Sequence, residues 1–300
     1  MKRLLILPAV VGVLFYLARA TIILGPYTYD EPDYMYAASL GWSANAIDSP
    51  SLPLPEFVKI GLGRGREAGA KTELSETIRE SGDVVFYRHW HGPLYSDWLR
   101  LARHLTSDEH STRQWNYVFP IAVALLMYFG ALWLLPGAAG QAAAILAPVL
   151  YLWSYPVVRS TELAPHQLFA LCVTAALLLI ARMFQTPGPL RRYWYAAVIV
   201  TAIAFCVLEV AFALIITLLV CGYLLRERLK PDLMLAAKSA ALFIATVLIL
   251  WPGAIWKLSF VKAYLFMAYL AIFRRDAWGP HVTIAETWWL RLVDLSLIHI

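Results

Sequence analysis

The chain has 300 residues, of which 60% are hydrophobic and only 15% are charged, and its mean hydropathy is +0.62. A soluble domain cannot bury that much apolar surface, and several runs reach about 20 apolar residues, the length that crosses a bilayer. The net charge of +5 comes from lysines and arginines scattered at helix ends, which argues against nucleic-acid binding. The composition therefore predicts an all-α polytopic membrane protein.

The first apolar run extends from Leu4 to Leu24 and follows Lys2 and Arg3. This basic start predicts a cytoplasmic N-terminus and an extracytoplasmic first loop. The tripeptide Ala18-Arg19-Ala20 resembles a signal-peptidase site, so a cleaved leader is the alternative. We expect an uncleaved anchor, because the apolar residues continue as far as Leu24.

The polar segment 25–117 is the predicted first extracytoplasmic loop. It is too long for a bare loop, so we expect it to carry short surface helices. At its start, Tyr29-Asp30-Glu31-Pro32-Asp33-Tyr34 places three carboxylates just past the first span. Charge at that depth is costly unless it faces water, a partner or a ligand, which makes this acidic motif the leading functional candidate. Pro32 suits the first turn of a surface helix, with Glu31 near its N-cap.

Later apolar stretches complete the predicted bundle. Spans are expected over residues 118–135, 142–155, 163–184 and 242–256. The stretch 193–225 is long for one crossing and short for two, since one crossing takes about 20 residues. A tight pair bent near Glu209 would keep Arg226, Arg228 and Lys230 on the cytoplasmic side, so we predict the pair.

This topology gathers polar side chains at the outer membrane face. They are Asp30, Glu31, Asp33, Arg88, His89, His91, Arg159, Glu162, His166 and, with the bent pair, Glu209. Carboxylates beside basic groups at the rim of an apolar protein suit a substrate with an anionic head and an apolar tail. A lipid phosphate is such a substrate.

Other interpretations of these residues stay open. Arg88, His89 and His91 can also be read as wetted interfacial side chains, and Arg159 with Glu162 as a plain interfacial ion pair. Glu31 can also serve as a helix cap.

Several further residues are expected to be structural. His166 starts an apolar helix and is expected to be a core residue. Tyr34, Tyr36 and Tyr95 are expected in the aromatic belt of the membrane interface. The three cysteines lie in apolar runs and predict small buried side chains rather than a disulfide framework. No cofactor and no metal are expected.

The sequence resembles those of the GT-C-type membrane glycosyltransferases in the order of its motifs. The resemblance is to the branch of the dolichyl-phosphate-mannose protein mannosyltransferases and the bacterial aminoarabinose transferases in particular. The resemblance rests on the acidic motif at 29–34 and on His91-Gly92-Pro93-Leu94-Tyr95 before the second span. Glu162 behind Arg159 and the pair Trp251-Pro252 add to it. Where relatives often carry a lysine in the fifth-span region, this chain has Leu208-Glu209.

The resemblance implies a GT-C-like transmembrane helix bundle over residues 1–294, in a multi-pass protein of the inner membrane. It further implies inverting transfer of a sugar from a polyprenyl-phosphate donor to an unidentified hydroxyl acceptor on the non-cytoplasmic side. Asp30 would be the general base, and Glu31 would orient neighbouring groups. The donor phosphate would be bound by Arg88, His89, His91, Arg159 and Glu162.

Two other function classes are compatible with the residues: a transporter or flippase for a lipid-linked or acidic solute, and a non-catalytic scaffold for envelope assembly. A transporter usually places its polar groups at mid-membrane, whereas these charges lie at one rim. Residues 295–300 resemble a translated adapter sequence from DNA library preparation. We therefore expect a C-terminally truncated fragment with a short foreign tail.

Overall fold

The computed structural model describes residues 31–45, 53–58, 91–106, 110–152, 163–188, 190–262 and 265. Within these residues the protein is helical and contains no strand. The main α-helices are α1 (Glu31–Leu40), α2 (Leu94–His104), α3 (Val118–Leu134), α4 (Gly137–Leu152), α5 (His166–Gln185), α6 (Arg191–Phe205), α7 (Phe212–Leu224), α8 (Arg226–Leu229), α9 (Leu233–Leu250) and α10 (Pro252–Trp256). Short 3-10 helices cover Trp42–Asn45, His110–Tyr117 and Glu209–Ala211.

Three helices of the described residues are long and apolar enough to cross a membrane. They are Ser111–Leu134, which joins the second 3-10 helix to α3, together with α5 and α9. The helices α4 and α7 are apolar but shorter. This arrangement confirms the all-α polytopic membrane protein.

The stretch 193–225 forms the predicted pair of helices. The helix α6 ends at Phe205, a turn containing the 3-10 helix Glu209–Ala211 follows, and α7 begins at Phe212. The turn therefore lies near Glu209, as predicted, and each helix is shorter than the roughly 20 residues of a full crossing.

Arginines tie four helix ends together at one end of the bundle, which we call the arginine-rich end. Arg191 at the start of α6 binds Asp232, the N-cap of α9, with an N–O distance of 2.8 Å. Arg228 of α8 donates to the carbonyl oxygens of Phe184 and Thr186, where α5 ends. Side-chain cations commonly satisfy the last carbonyls of a helix in this way.

Two helices begin earlier than their apolar runs predict. The helix α4 begins at Gly137, whose positive φ of 63° makes the tight turn after α3. The helix α9 begins at Leu233 because the Asp232 carboxylate accepts from the backbone N–H of Leu235 at 2.6 Å. Both helices therefore include residues that hydropathy alone leaves in the loop.

The helices α1 and α2 of the first loop dock on the other end of the bundle. Their buried side chains pack with others from α3, α5 and the turn after α6. This loop core consists of Tyr34, Met35, Ala38, Tyr95, Leu99, Phe119, Leu163, Leu168, Val207 and Leu208. Burying each large apolar side chain contributes about 1.5–3 kcal/mol, so the docked loop is an integral part of the fold. We call this end of the bundle the loop end.

Some residues lie in a different environment from the one their sequence context predicts. Tyr34 and Tyr95 are 4% and 1% exposed, so the belt assignment is wrong for both because the docked loop turns them inward. His166 is exposed, and its assignment to the core is also wrong. The neighbouring Gln167 takes the buried position and accepts from the Tyr151 hydroxyl at 2.8 Å. The three cysteines are buried and free, as predicted.

Candidate functional site

The Glu31 carboxylate, at the start of α1, is held by two distant segments of the chain. The Arg113 guanidinium donates from Nε to Glu31 Oε1 at 2.8 Å and from Nη2 to Oε2 at 2.6 Å. The backbone N–H of Leu163 donates to the same Oε1 at 2.8 Å. A bidentate arginine–carboxylate pair fixes orientation as well as distance. Glu31 therefore joins the acidic motif to the 3-10 helix before α3 and to the segment before α5.

This ion pair is removed from solvent. The side chain of Glu31 is 2% exposed and that of Arg113 is 5% exposed. Removing two charges from water is costly, and the cost is offset only by good geometry and further hydrogen bonds, both of which are present here. The pair is a positioning device for the motif, and its role extends well beyond capping α1.

Gly92 explains why the His91–Tyr95 motif sits where it does. A Cβ atom at Gly92 would lie 2.1 Å from the carbonyl oxygen of Cys206, the residue that ends α6. The backbone N–H of Leu94 donates to that same oxygen at 3.2 Å. Only a glycine lets the two backbones approach so closely. The motif thereby fastens the first loop to the end of α6, where helix carbonyls lack intrahelical partners.

Aromatic rings connect this motif to the acidic one. The His91 and Tyr34 rings are nearly parallel, at 10°, with centroids 6.1 Å apart. Tyr34 meets Tyr95 edge to face at 5.5 Å, and the Tyr95 hydroxyl donates to Asn116 Oδ1 at 3.1 Å. Burial, with the nearby Tyr34 and Glu31, raises the pKa of Tyr95 well above its usual value. Tyr95 is thus a neutral hydrogen-bond donor inside the site.

Asp97 links α2 to the 3-10 helix that follows α1. Its Oδ1 accepts from the backbone N–H of Ser43 at 2.6 Å. Burial raises its pKa from 3.8 to about 6, although the Ser43 hydrogen bond and the Arg100 charge oppose the shift. The folded state therefore holds this proton more tightly than the unfolded chain does.

This shift predicts how stability depends on pH. Asp97 contributes most when protonated, below about pH 4, and its contribution falls as the pH rises to about 6. Asp97→Asn keeps an acceptor for Ser43 and removes the titration, so we expect it to melt higher than the wild type at pH 7 but equally at pH 4. Melting temperatures in detergent between pH 4 and 8 test this, with the exposed Glu56→Gln as control. A constant difference across that range would contradict it.

The structure adds residues that the sequence analysis did not select. Arg113 and Asn116 lie in the polar stretch just before α3. Charged and amide side chains so close to the end of a span indicate functional candidates, so the sequence could have identified both. Lys262 lies beyond the last predicted span, 242–256, and is also buried, at 1% exposed. It lies two residues after Phe260, whose ring packs on Phe205 at 6.0 Å, so this buried cation belongs to the loop end.

Of the seven predicted site residues, the structure describes Glu31 and His91 and brings them into one neighbourhood through Tyr34. The others, Asp30, Arg88, His89, Arg159 and Glu162, lie outside the described residues. Among the residues that are described, no group of three His, Cys, Asp or Glu side chains is arranged to hold a metal ion.

Fold and site together define a polytopic α-helical membrane protein whose first loop docks a carboxylate-bearing helix on one end of the bundle. The sequence profile of the dolichyl-phosphate-mannose-protein mannosyltransferase family matches residues 91–256, more than half of the chain, and the protein belongs to this family. It is a membrane glycosyltransferase of the GT-C type. The match begins at His91, after the acidic motif. Comparisons with curated proteins and with solved structures found no match.

Proposed function

We propose that the protein transfers a sugar from a polyprenyl-phosphate donor to a hydroxyl acceptor, with inversion at the anomeric carbon and Asp30 as the general base. The observation that carries the proposal is the anchored carboxylate of Glu31, which follows Asp30 directly in the chain. The family description names a dolichyl-phosphate-mannose donor, which supports a lipid-linked substrate.

The chemistry suits a carboxylate base at a membrane rim. An aspartate with a pKa near 4 is too weak to deprotonate an alcohol in advance, so the proton transfers late, as the acceptor oxygen bonds to the anomeric carbon. The polyprenyl phosphate leaves as an anion and needs no acid. Holding donor and acceptor together then supplies several kcal/mol of the rate enhancement, about 7–11 kcal/mol at most.

The remaining site residues have proposed supporting roles. Glu31 positions α1 through Arg113. The donor phosphate is bound by cationic and polar side chains, namely Arg88, His89 and His91, with Arg159 and Glu162 completing the wall. Guanidinium and imidazolium groups both donate to anionic oxygens.

The proposal places the loop end on the extracytoplasmic side of the inner membrane. The opposite, arginine-rich end then faces the cytoplasm, as the excess of basic residues in its short loops favours. Residues 1–294 form a single GT-C-like module in this proposal, with 25–117 as its first extracytoplasmic loop. Membership of a transferase family supports an enzyme over a transporter, a flippase or a scaffold.

Replacing the proposed base tests the function. We expect Asp30→Asn in the full-length protein to lower sugar transfer about 10²–10⁴-fold, the usual contribution of a general base. The assay supplies polyprenyl-phosphate mannose to purified protein in detergent, where no gradient exists and water is the hydroxyl acceptor, and it follows release of polyprenyl phosphate. Asp33→Asn, three residues further along the same motif, is the matched control and should keep its activity.

Two results would overturn the proposal. Wild-type turnover by the Asp30→Asn variant would remove the base. Failure of the wild-type protein to consume any of a panel of polyprenyl-phosphate sugars would remove the donor class. A monodisperse elution profile like that of the wild type shows that the variant is folded. A folding defect then cannot imitate a catalytic one.

A further inference from the structure

A cavity of about 550 Å³ lies between α6, α7 and α9. Its walls come from Trp194, Val198 and Thr201 of α6, from residues 215–223 of α7 and from residues 235–243 of α9. The volume lies within the range of about 300–1,000 Å³ that is typical of ligand sites. None of the residues proposed for sugar transfer belongs to its lining.

The lining of this cavity is nearly all hydrocarbon. Val198, Leu218, Leu219 and Phe243 form much of it. Ala236 and Ala240 on its α9 side are exposed, so the cavity is open to the surroundings of the bundle. Around a membrane helix those surroundings are lipid, and an apolar cavity does not hold water. An acyl chain is the occupant that such a lining favours.

One buried polar group on the wall has no partner. Thr201 is completely buried, and its hydroxyl makes no hydrogen bond within the described part of the chain. Two other polar groups of the wall are paired, since Trp194 Nε1 donates to Ser239 Oγ at 2.8 Å and that hydroxyl donates to the Leu235 carbonyl at 2.7 Å. A buried unpaired hydroxyl is costly, so Thr201 points to a ligand that carries an acceptor oxygen. The ester of a glycerophospholipid supplies one, whereas a polyprenyl chain does not.

Arg226 places a positive charge at the edge of the cavity. Its guanidinium lies 4.5 Å from the centre of the Tyr223 ring and donates to the Tyr223 carbonyl at 3.2 Å. It has no carboxylate partner among the described residues. The neighbouring Arg191 is paired with Asp232, and Arg228 is bound to carbonyls of α5. Arg226 is thus the lining cation that is available to a phosphate.

We propose that this cavity binds one acyl chain of an anionic glycerophospholipid, with the lipid phosphate on Arg226 and an ester oxygen on Thr201. Basic pockets between membrane helices commonly recognise lipid head groups in this way. The proposal does not depend on the proposed sugar transfer, because no residue proposed for that transfer lines the cavity. A lipid here would fill the space between α7 and the rest of the bundle and would hold α7 in place.

Native mass spectrometry of the full chain in detergent, titrated with dioleoyl phosphatidylglycerol or dioleoyl phosphatidylcholine, tests the proposal. The wild type should bind phosphatidylglycerol more tightly than phosphatidylcholine. We expect Arg226→Gln to weaken phosphatidylglycerol binding about tenfold and to abolish this preference, as loss of one charge-assisted contact implies. Arg192→Gln, at an exposed arginine of the same end that does not line the cavity, is the matched control.

A second pair of variants tests the chain-binding part. Ala240→Phe fills the cavity and should reduce binding of both lipids, whereas Ala241→Phe, exposed on the same helix but outside the lining, should not. If Ala240→Phe fails to fold, Thr201→Val removes the hydroxyl at nearly constant volume and should still weaken binding. Unchanged binding in Ala240→Phe or Thr201→Val would overturn the cavity as the site. Unchanged lipid preference in Arg226→Gln would overturn the phosphate contact.

Discussion

Replacing Glu31 by glutamine is expected to destabilise the protein by about 3–5 kcal/mol, because the Arg113 guanidinium is then left buried without its counter-charge. Glutamine can still accept the Leu163 N–H through its Oε1, so the substitution removes the charge and spares that hydrogen bond. The loss follows from burial, since an exposed pair of the same geometry contributes only about 0–1 kcal/mol. The free energy of unfolding in mixed detergent micelles measures the effect.

Two further variants separate the pair from its surroundings. Glu227→Gln removes a carboxylate at an exposed position and should change stability by no more than about 0.5 kcal/mol. Combining Glu31→Leu with Arg113→Met removes both charges, and the double variant should be more stable than either single one, because no lone buried charge remains. A loss below about 1 kcal/mol in Glu31→Gln would show that the pair contributes no more than a surface one.

The membrane architecture was largely predictable from the sequence. The length of the stretch 193–225 left one or two crossings open, and the basic residues after it decided for a pair, because they belong at the same end as Arg191. Helix starts were predicted less well, since Asp232 caps α9 ahead of its apolar run. Hydropathy detects the apolar part of a helix, whereas capping depends on a single side chain.

Within the candidate site, the partners could not be predicted. Glu31 meets Arg113 at a separation of 82 residues and the Leu163 backbone at 132, and no local pattern encodes such contacts. The prediction that Tyr34 and Tyr95 lie in the aromatic belt was wrong for the same reason. An interfacial tyrosine and a tyrosine buried by loop docking look alike in sequence. The assignments of Asp30, Arg88, His89, Arg159 and Glu162 stay predictions, as these residues lie outside the described part of the chain.

The Gly92→Ala variant is expected to lose about 3 kcal/mol of stability, at the upper end of the cost of overpacking. The added Cβ would lie 2.1 Å from the Cys206 carbonyl oxygen, and no change of rotamer relieves a clash with backbone. Either α6 or the His91–Tyr95 motif must move, and the hydrogen bond from Leu94 N–H to that oxygen is then lost. Undocking should reach α1, since Tyr34 packs on Tyr95.

Thermal unfolding and limited proteolysis together distinguish local undocking from general damage. In Gly92→Ala we expect cleavage of the first loop well before cleavage of the bundle, together with a lower melting temperature. Gly188→Ala is the matched control, because the nearest atom to its added Cβ is 3.9 Å away and its stability should not fall. If Gly92→Ala matched Gly188→Ala in both measurements, the contact with Cys206 would not be what holds the first loop, and the acidic motif would have to depend on the Glu31–Arg113 pair for its position.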